Sequence, residues 1–208
     1  MVRIAWGITG CGDKIEQISS IMTDLKGKHL LDIDVYVSKS GEMVLKWYKL
    51  WDTLKNRFSQ VQVEVNANAP FLAGKLQTGH YDVFIVAPAT ANTVAKIAHG
   101  IADTLITNAV SQAAKAMIPV YIYPVDNKKG EIETVLPDGE ILKLQIRDVD
   151  VENVANLRKM EHITVLENAE EIEKTVTDFL ERLKSQKIEW KSKAASWTCK
   201  LWNSSIPL

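Results

Sequence analysis

Val83-Phe84-Ile85-Val86-Ala87 is an unbroken apolar run with no polar face. A strand of this kind is stable only where both of its faces are covered, as at the centre of a parallel sheet flanked by helices. The rest of the chain carries the matching pieces. Val2–Ile8, Ile33–Val37, Val61–Val65, Pro119–Tyr123 and Ile163–Leu166 read as further strands. Between them lie helical patterns: Ile15, Ile18, Ile21, Met22 and Leu25 on one face, then Met43, Val44, Trp47 and Tyr48, then segments over 93–98 and 103–117. Strands alternating with helices predict a three-layer α/β/α, Rossmann-like fold. The fourth strand should break at Pro88.

The predicted α/β domain covers 1–185. It includes a hairpin insertion at about 131–147, turning at Pro137-Asp138-Gly139, and a long amphipathic helix over 169–183. Residues 186–208 change character: Lys187, Lys191, Lys193 and Lys200 alternate with Trp190, Trp197 and Trp202, as in an arm that docks on a body or a partner. With 208 residues, 46% of them hydrophobic, the chain needs neither disulfide nor metal to hold a core. Cys11 and Cys199 have no metal-ligand spacing, so no metal site is expected. A formal charge of -1 favours neither nucleic acid nor membrane. No apolar run is long enough to span a bilayer and the N-terminus enters a strand directly, so the expected location is cytoplasmic.

In a parallel sheet of this type, ligands sit beyond the carboxyl ends of the strands, where strand order reverses. After the first strand comes Thr9-Gly10-Cys11-Gly12-Asp13, a loop whose backbone N–H groups can approach a phosphate, although Asp13 competes for the same donors. After the second come Ser38, Lys39 and Ser40, donors without the acid that would hold a ribose diol. This disfavours NAD and leaves FMN or an NADP 2′-phosphate open. After the fourth, Ala87-Pro88-Ala89-Thr90-Ala91-Asn92-Thr93 keeps the chain close to the crevice, so a flat ring can lie against it while Thr90, Asn92 and Thr93 direct hydrogen bonds.

That last segment resembles the PASANT-type motif of the homo-oligomeric flavin-containing cysteine decarboxylase superfamily. The resemblance extends to the Gly7-Ile8-Thr9-Gly10 opening, to Ser38, and to Ile97-Ala98-His99-Gly100-Ile101-Ala102-Asp103. Within the superfamily the chain is most similar to the archaeoflavoproteins, through Ile4–Gly10, the Tyr36–Glu42 turn, and Arg147–Asp150 leading into Leu157–Met160. The resemblance implies noncovalent FMN in a homo-oligomer. It also implies electrons taken from ferredoxin and passed to an acceptor or, in a sister branch, reduction of dihydromethanopterin. Gly10, Cys11 and Gly12 would meet the FMN phosphate with Ser38, and Thr90, Ala91, Asn92 and Thr93 would border the ring. Thr9, Ser40, Ala87 and Pro88 complete the expected cofactor set.

Two departures bear on the reaction. The superfamily's decarboxylases carry a catalytic histidine fourteen residues before the motif proline, where this chain has Gly74. Their Pro-x-Met-Asn clamp corresponds to Pro124-Val125-Asp126-Asn127. Decarboxylase and prenyltransferase chemistry is therefore disfavoured, while Asp126 and Asn127 become candidate pterin contacts. A non-redox nucleotide-binding protein is the reading from a different class. His29, His80, His99 and His162 read as capping or surface residues, with His80 the one to test because it lies beside the sheet edge. Cys11 reads as a small side chain in a tight loop, with a thiol pKa lowered by the adjacent helix N-terminus as the alternative.

Overall fold

The computed structural model describes residues 1–185 of the chain. The expected Trp/Lys arm at 186–208 lies outside the described residues. Met1–Glu171 is one compact unit; a second begins at Ile172 and carries the helix over 171–185.

The six strands β1 (Val2–Ile8), β2 (Leu31–Val37), β3 (Gln60–Val63), β4 (Val83–Ala89), β5 (Val120–Pro124) and β8 (Ile163–Val165) form one sheet in the order β3-β2-β1-β4-β5-β8. Every pairing in it is parallel. The α/β/α expectation holds. β6 (Gly130–Val135) and β7 (Ile141–Ile146) make the separate antiparallel hairpin where it was expected.

Right-handed crossovers decide which face each helix covers. The chain steps outward from β1 to β2 to β3, so α1 (Ile15–Lys28) lies on one face. It then jumps back past β1 to β4 and moves the other way. The helices of that return, α4 (Leu72–Gln77), α5 (Ala91–Ala98), α6 (Leu105–Lys115) and α7 (Asp148–Leu157), share one core with Tyr36, Phe84, Val86 and Ile122 on the opposite face. Gly7 in β1 is tied to this face: a Cβ there would meet Ile106 Cδ1 at 2.9 Å. Its neighbour Trp6 points the other way, sets its ring 5.5 Å from that of Phe58, and donates Nε1–H to Ala87 O at 2.7 Å.

Four local expectations change. β4 does not stop at Pro88. Proline removes one N–H from the ladder and the register slips, but Ala89 pairs again with Pro124. The helix expected to bury Met43, Val44, Trp47 and Tyr48 is α2 (Lys39–Trp47), and its buried residues are Gly41 and Leu45. Met43 and Trp47 are 73% and 56% exposed. Two helices unseen in the sequence, α3 (Trp51–Arg57) and α4, have seven and six residues, too few for a periodic signal.

No helix among the described residues is long and apolar enough to cross a membrane.

Candidate functional site

The reversal of strand order falls between β1 and β4, and one side chain joins the two ends. Thr9 Oγ1 donates to Pro88 O at 2.8 Å and accepts from Thr90 N–H at 2.9 Å. Thr9 N–H also donates to Pro88 O at 3.3 Å. With its only hydroxyl proton committed, Thr9 positions the two loops and has one lone pair left for a ligand.

Above this clasp opens a cleft of about 520 Å³, within the range of small-molecule sites. Its lining comes from Thr9 and Gly10 after β1; Ser38, Lys39 and Ser40 after β2; Thr90, Asn92 and Thr93 after β4; and Glu64, Thr104 and Ile106. Seven of the twelve residues expected to bind cofactor therefore share one cavity. Of the rest, Ala87 and Pro88 lie behind it in β4, where their carbonyls hold Trp6 and Thr9. Ala91 is the first residue of α5, and Gly12 lines a different cavity of about 290 Å³ together with Tyr48 and Val135.

Three helices start on this cleft, each with a hydroxyl cap. Ser38 Oγ accepts from Gly41 N–H at 3.0 Å at α2, and Thr90 Oγ1 from Thr93 N–H at 3.2 Å at α5. Thr104 Oγ1 accepts from Thr107 N–H at 3.3 Å at α6. Helix starts present orphan N–H groups and a positive dipole end to an anion. The α6 start already has its anion: Glu64 Oε1 accepts from Leu105 N–H at 3.0 Å. The α2 start, with Lys39 and Ser40 on the cleft wall, carries a positive side chain as well. Gly10 lets β1 approach it, since a Cβ on Gly10 would lie 2.5 Å from Ser40 Cβ. The cleft thus has an N–H-rich end at Gly10 and Ser38–Ser40, where Lys39 offsets the Glu64 carboxylate held by Leu105 N–H, and a neutral amide and hydroxyl wall at Thr90–Thr93. That arrangement fits a phosphate monoester tethered to a flat, neutral ring.

The sequence reading missed Glu64 and Thr104. Both carried a signal: Glu64 directly follows the third apolar run, where ligand contacts are expected, and Thr104 stands in a cap position before α6. The apparent lack of an acid near Ser38 also needs amending, because β3 brings Glu64 to the same wall.

Asp126 and Asn127 stand after β5 and do not line the cleft. Val125 N–H donates to Ala89 O at 3.2 Å and Asn127 Nδ2 to Glu167 O at 2.9 Å, which fixes the loop on both sides. Burial, reinforced by Asp150, raises the Asp126 carboxyl above its ordinary range, while the Ala91 N–H opposes this.

None of the histidines lines the cleft. His80 lies at the amino ends of the strands, with Nδ1 3.1 Å from Arg3 Nη1 and its ring against Tyr81. That is the end of the sheet away from the ligand, so nearness to the sheet did not mean nearness to the site. His99 Nε2 is 3.0 Å from Asn153 Oδ1.

Cys11 keeps to its reading as a small loop side chain and is not the reactive thiol. Burial outweighs the local N–H groups, and the nearby Asp13 and Asp126 add to it, so the thiol is pushed up to about 12. Asp13 does not cap α1. The residue at that start is Lys14, in a left-handed conformation with φ 57° and no side-chain cap. Cys11, partly exposed, should therefore react with iodoacetamide at pH 8 far more slowly in the folded protein than after unfolding. Peptide mapping by mass spectrometry reads this at Cys11 alone, and rapid labelling of the native protein would contradict the burial.

A protein-family model described as Flavoprotein matches residues 1–191. An uncharacterized protein of Methanocaldococcus jannaschii is 62% identical over 186 residues, 89% of this chain and all of that one. Two proteins named dihydromethanopterin reductase (acceptor) are also similar. The one from Methanosarcina mazei is 41% identical over 65% of this chain and 59% of its own length. The one from M. jannaschii is 38% identical over 72% of this chain and 65% of its own. The chain thus spans less than two thirds of either reductase. Among solved structures, Burkholderia xenovorans DmrB in complex with FMN, described as a cubic protein cage for redox transfer, superposes with a TM-score of 0.75. The identity is 30%, covering 88% of this chain and 97% of that one. A dodecameric FMN-dependent UbiX-like decarboxylase from Escherichia coli O157:H7 shares the fold at a TM-score of 0.60 and 15% identity, over 79% of each chain.

Proposed function

The chain belongs to the Flavoprotein family, and from that membership we propose that it is an FMN-dependent oxidoreductase. In this reading it works as a homo-oligomer that takes electrons from a small carrier of the ferredoxin type and passes them to an acceptor. The observation that carries the reading is the cleft at the strand-order reversal, N–H-rich with Lys39 at one end and neutral amides and hydroxyls at the other. The FMN-bound DmrB and its cage assembly support both cofactor and oligomer.

Gly10 and the start of α2, with Ser38, Lys39 and Ser40, would hold the phosphate. Thr90, Ala91, Asn92 and Thr93 would border the ring from the start of α5, backed by Ala87 and Pro88. Cys11 and Gly12 would support the phosphate loop from behind. Bound FMN supplies reversible electron transfer, and the protein's part is binding, orientation and electrostatics. Gly74 separates the chain from the decarboxylases. The Phe71 ring lies over it, only 2.0 Å from where a Cβ would be, so a histidine there would have to displace the ring. We assign 1–185 to the FMN-binding body, 186–208 to a docking arm and the protein to the cytoplasm.

The names of the two reductase relatives bear on a second reading, dihydropterin reduction by the same flavin, in which Asp126 and Asn127 would be pterin contacts from outside the cleft lining. One anaerobic experiment separates these readings. Purified protein should be yellow and release FMN on denaturation, and reduced ferredoxin should bleach it stoichiometrically. Reoxidation of the reduced protein by dihydromethanopterin would assign the enzyme; no reaction would leave the carrier. A colourless protein that FMN cannot reconstitute would return the chain to the non-redox nucleotide-binding reading.

A further inference from the structure

We propose that the solvent face of α2, continued over α3, is the docking surface for a small acidic electron-carrier protein. The proposal rests on the redox reading above and names where its donor arrives.

α2 starts on the cleft, where Lys39 and Ser40 form part of the wall. Residues three and four apart share a helix face, so Lys39, Met43, Lys46 and Trp47 run outward from the cleft mouth in one stripe. The opposite face is anchored by the buried Gly41 and Leu45. Met43 and Trp47, at 73% and 56% exposure, are large apolar side chains left in water. Beside them in the chain stand the exposed cations Lys46, Lys49 and Lys55, while Arg57 lines a separate groove with Asp24 and Glu16. The Lys46 and Lys55 ammoniums lie 5.5 and 5.9 Å from the centroid of the Trp51 ring. Holding these charges over an aromatic face keeps them in place and lowers the ordering cost on association. Only Glu42 and Asp52 oppose them in this stretch, and Glu42 is paired with Lys46 at 2.7 Å.

An apolar centre ringed by charge is the anatomy of a transient protein interface. The charge decides the occupant. The chain as a whole carries -1, so the cationic patch is local. Two copies joined through this patch about a two-fold axis would set lysine against lysine, which costs affinity. A partner with an acidic face gains by the same geometry, is steered toward it from a distance, and docks at the mouth of the cleft.

The test uses the full chain loaded with FMN. Lys49→Glu with Lys55→Glu reverses two charges that lie outside the cleft wall, and Trp47→Ala removes the apolar centre. At low ionic strength the second-order rate of reduction by a photochemically reduced acidic ferredoxin should fall about tenfold or more in the charge-reversed protein, with the gap closing at high salt. Trp47→Ala should slow reduction at all salt concentrations. Reduction by dithionite, FMN affinity and the mass of the assembly should be unchanged in both. A ferredoxin rate and salt slope equal to those of the parent protein would overturn the proposal, as would a change in assembly mass, which would make the patch a contact between copies. If the parent protein binds no FMN, the redox reading falls first and takes this surface with it.

Discussion

Gly10→Ala should fold normally and bind FMN 10- to 100-fold more weakly than the parent protein. The new Cβ would lie 2.5 Å from Ser40 Cβ and 3.3 Å from the Ser40 carbonyl carbon, so rotating a side chain cannot relieve the contact. The β1 loop or the first turn of α2 must move. Those two segments form the N–H-rich end of the cleft, and overpacking of this kind costs about 1–3 kcal/mol. The two segments must move apart to admit the methyl, which pulls the N–H groups of this end out of position for a phosphate, and each 1.4 kcal/mol lost there is about tenfold in affinity. Ser40→Gly supplies the control. Alone it removes a hydroxyl on the cleft wall that would be offered to the phosphate, about 1 kcal/mol. Combined with Gly10→Ala it also removes the colliding atom, so the double variant should bind no worse than Ser40→Gly by itself, a clear departure from additivity. Equal FMN affinity in Gly10→Ala and the parent protein, by fluorescence titration with a matched circular dichroism spectrum, would place the phosphate elsewhere.

What the sequence reveals of this site follows from where each signal resides. The central strands were legible because full burial leaves an unbroken apolar run, as at Val83–Ala87. The switch-point rule then named Gly10, Ser38 and Asn92 from chain order alone. α3 and α4 escaped because helices of seven and six residues bury one or two turns, too short for a period to emerge. The α2 face was misjudged for a physical reason. Met43 and Trp47 look like core, yet Gly41 packs against Ile8 O, where a Cβ would sit at 2.9 Å, and that close approach rotates the helix so that Leu45 faces inward. The rise of the Cys11 thiol was beyond reach as well, since the helix-end effect can be read locally but burial by distant segments cannot. Glu64 was legible by position and overlooked by type, because an acid on a phosphate-binding wall makes sense only once Leu105 N–H is seen to hold it.

Tyr81→Phe should be among the most destabilising single-atom deletions in the protein. Asp34, in β2, is a buried carboxylate, and Tyr81 Oη–H donates to its Oδ2 at 2.5 Å. Having spent its only proton, Tyr81 can only accept from Tyr36, 2.7 Å away, and Tyr36 in turn accepts from Lys75 Nζ at 3.1 Å. The direction Lys75 to Tyr36 to Tyr81 to Asp34 is thereby fixed, and it connects a cation on α4 to the buried anion. Burial, together with hydrogen bonds to Asp34 and Tyr36, raises the Tyr81 hydroxyl far above the ordinary tyrosine range, so it remains a donor at every working pH. The chain also has a topological role, since it ties α4 and the start of β4 to β2 across the crossover that creates the ligand edge. Removing the Tyr81 oxygen leaves the carboxylate without this donor at a cost of about 2–3 kcal/mol, or roughly 4–12 °C in Tm for a chain of this size. Tyr36→Phe leaves the Tyr81–Asp34 bond intact and should cost about 1 kcal/mol. Repeating Tyr81→Phe in an Asp34→Asn background tests the charge itself, because the penalty should shrink once no buried anion remains to be satisfied. If Tyr81→Phe costs the same in both backgrounds by thermal and denaturant unfolding, the loss is one of packing, and the chain from Lys75 to Asp34 does not hold the crossover in place.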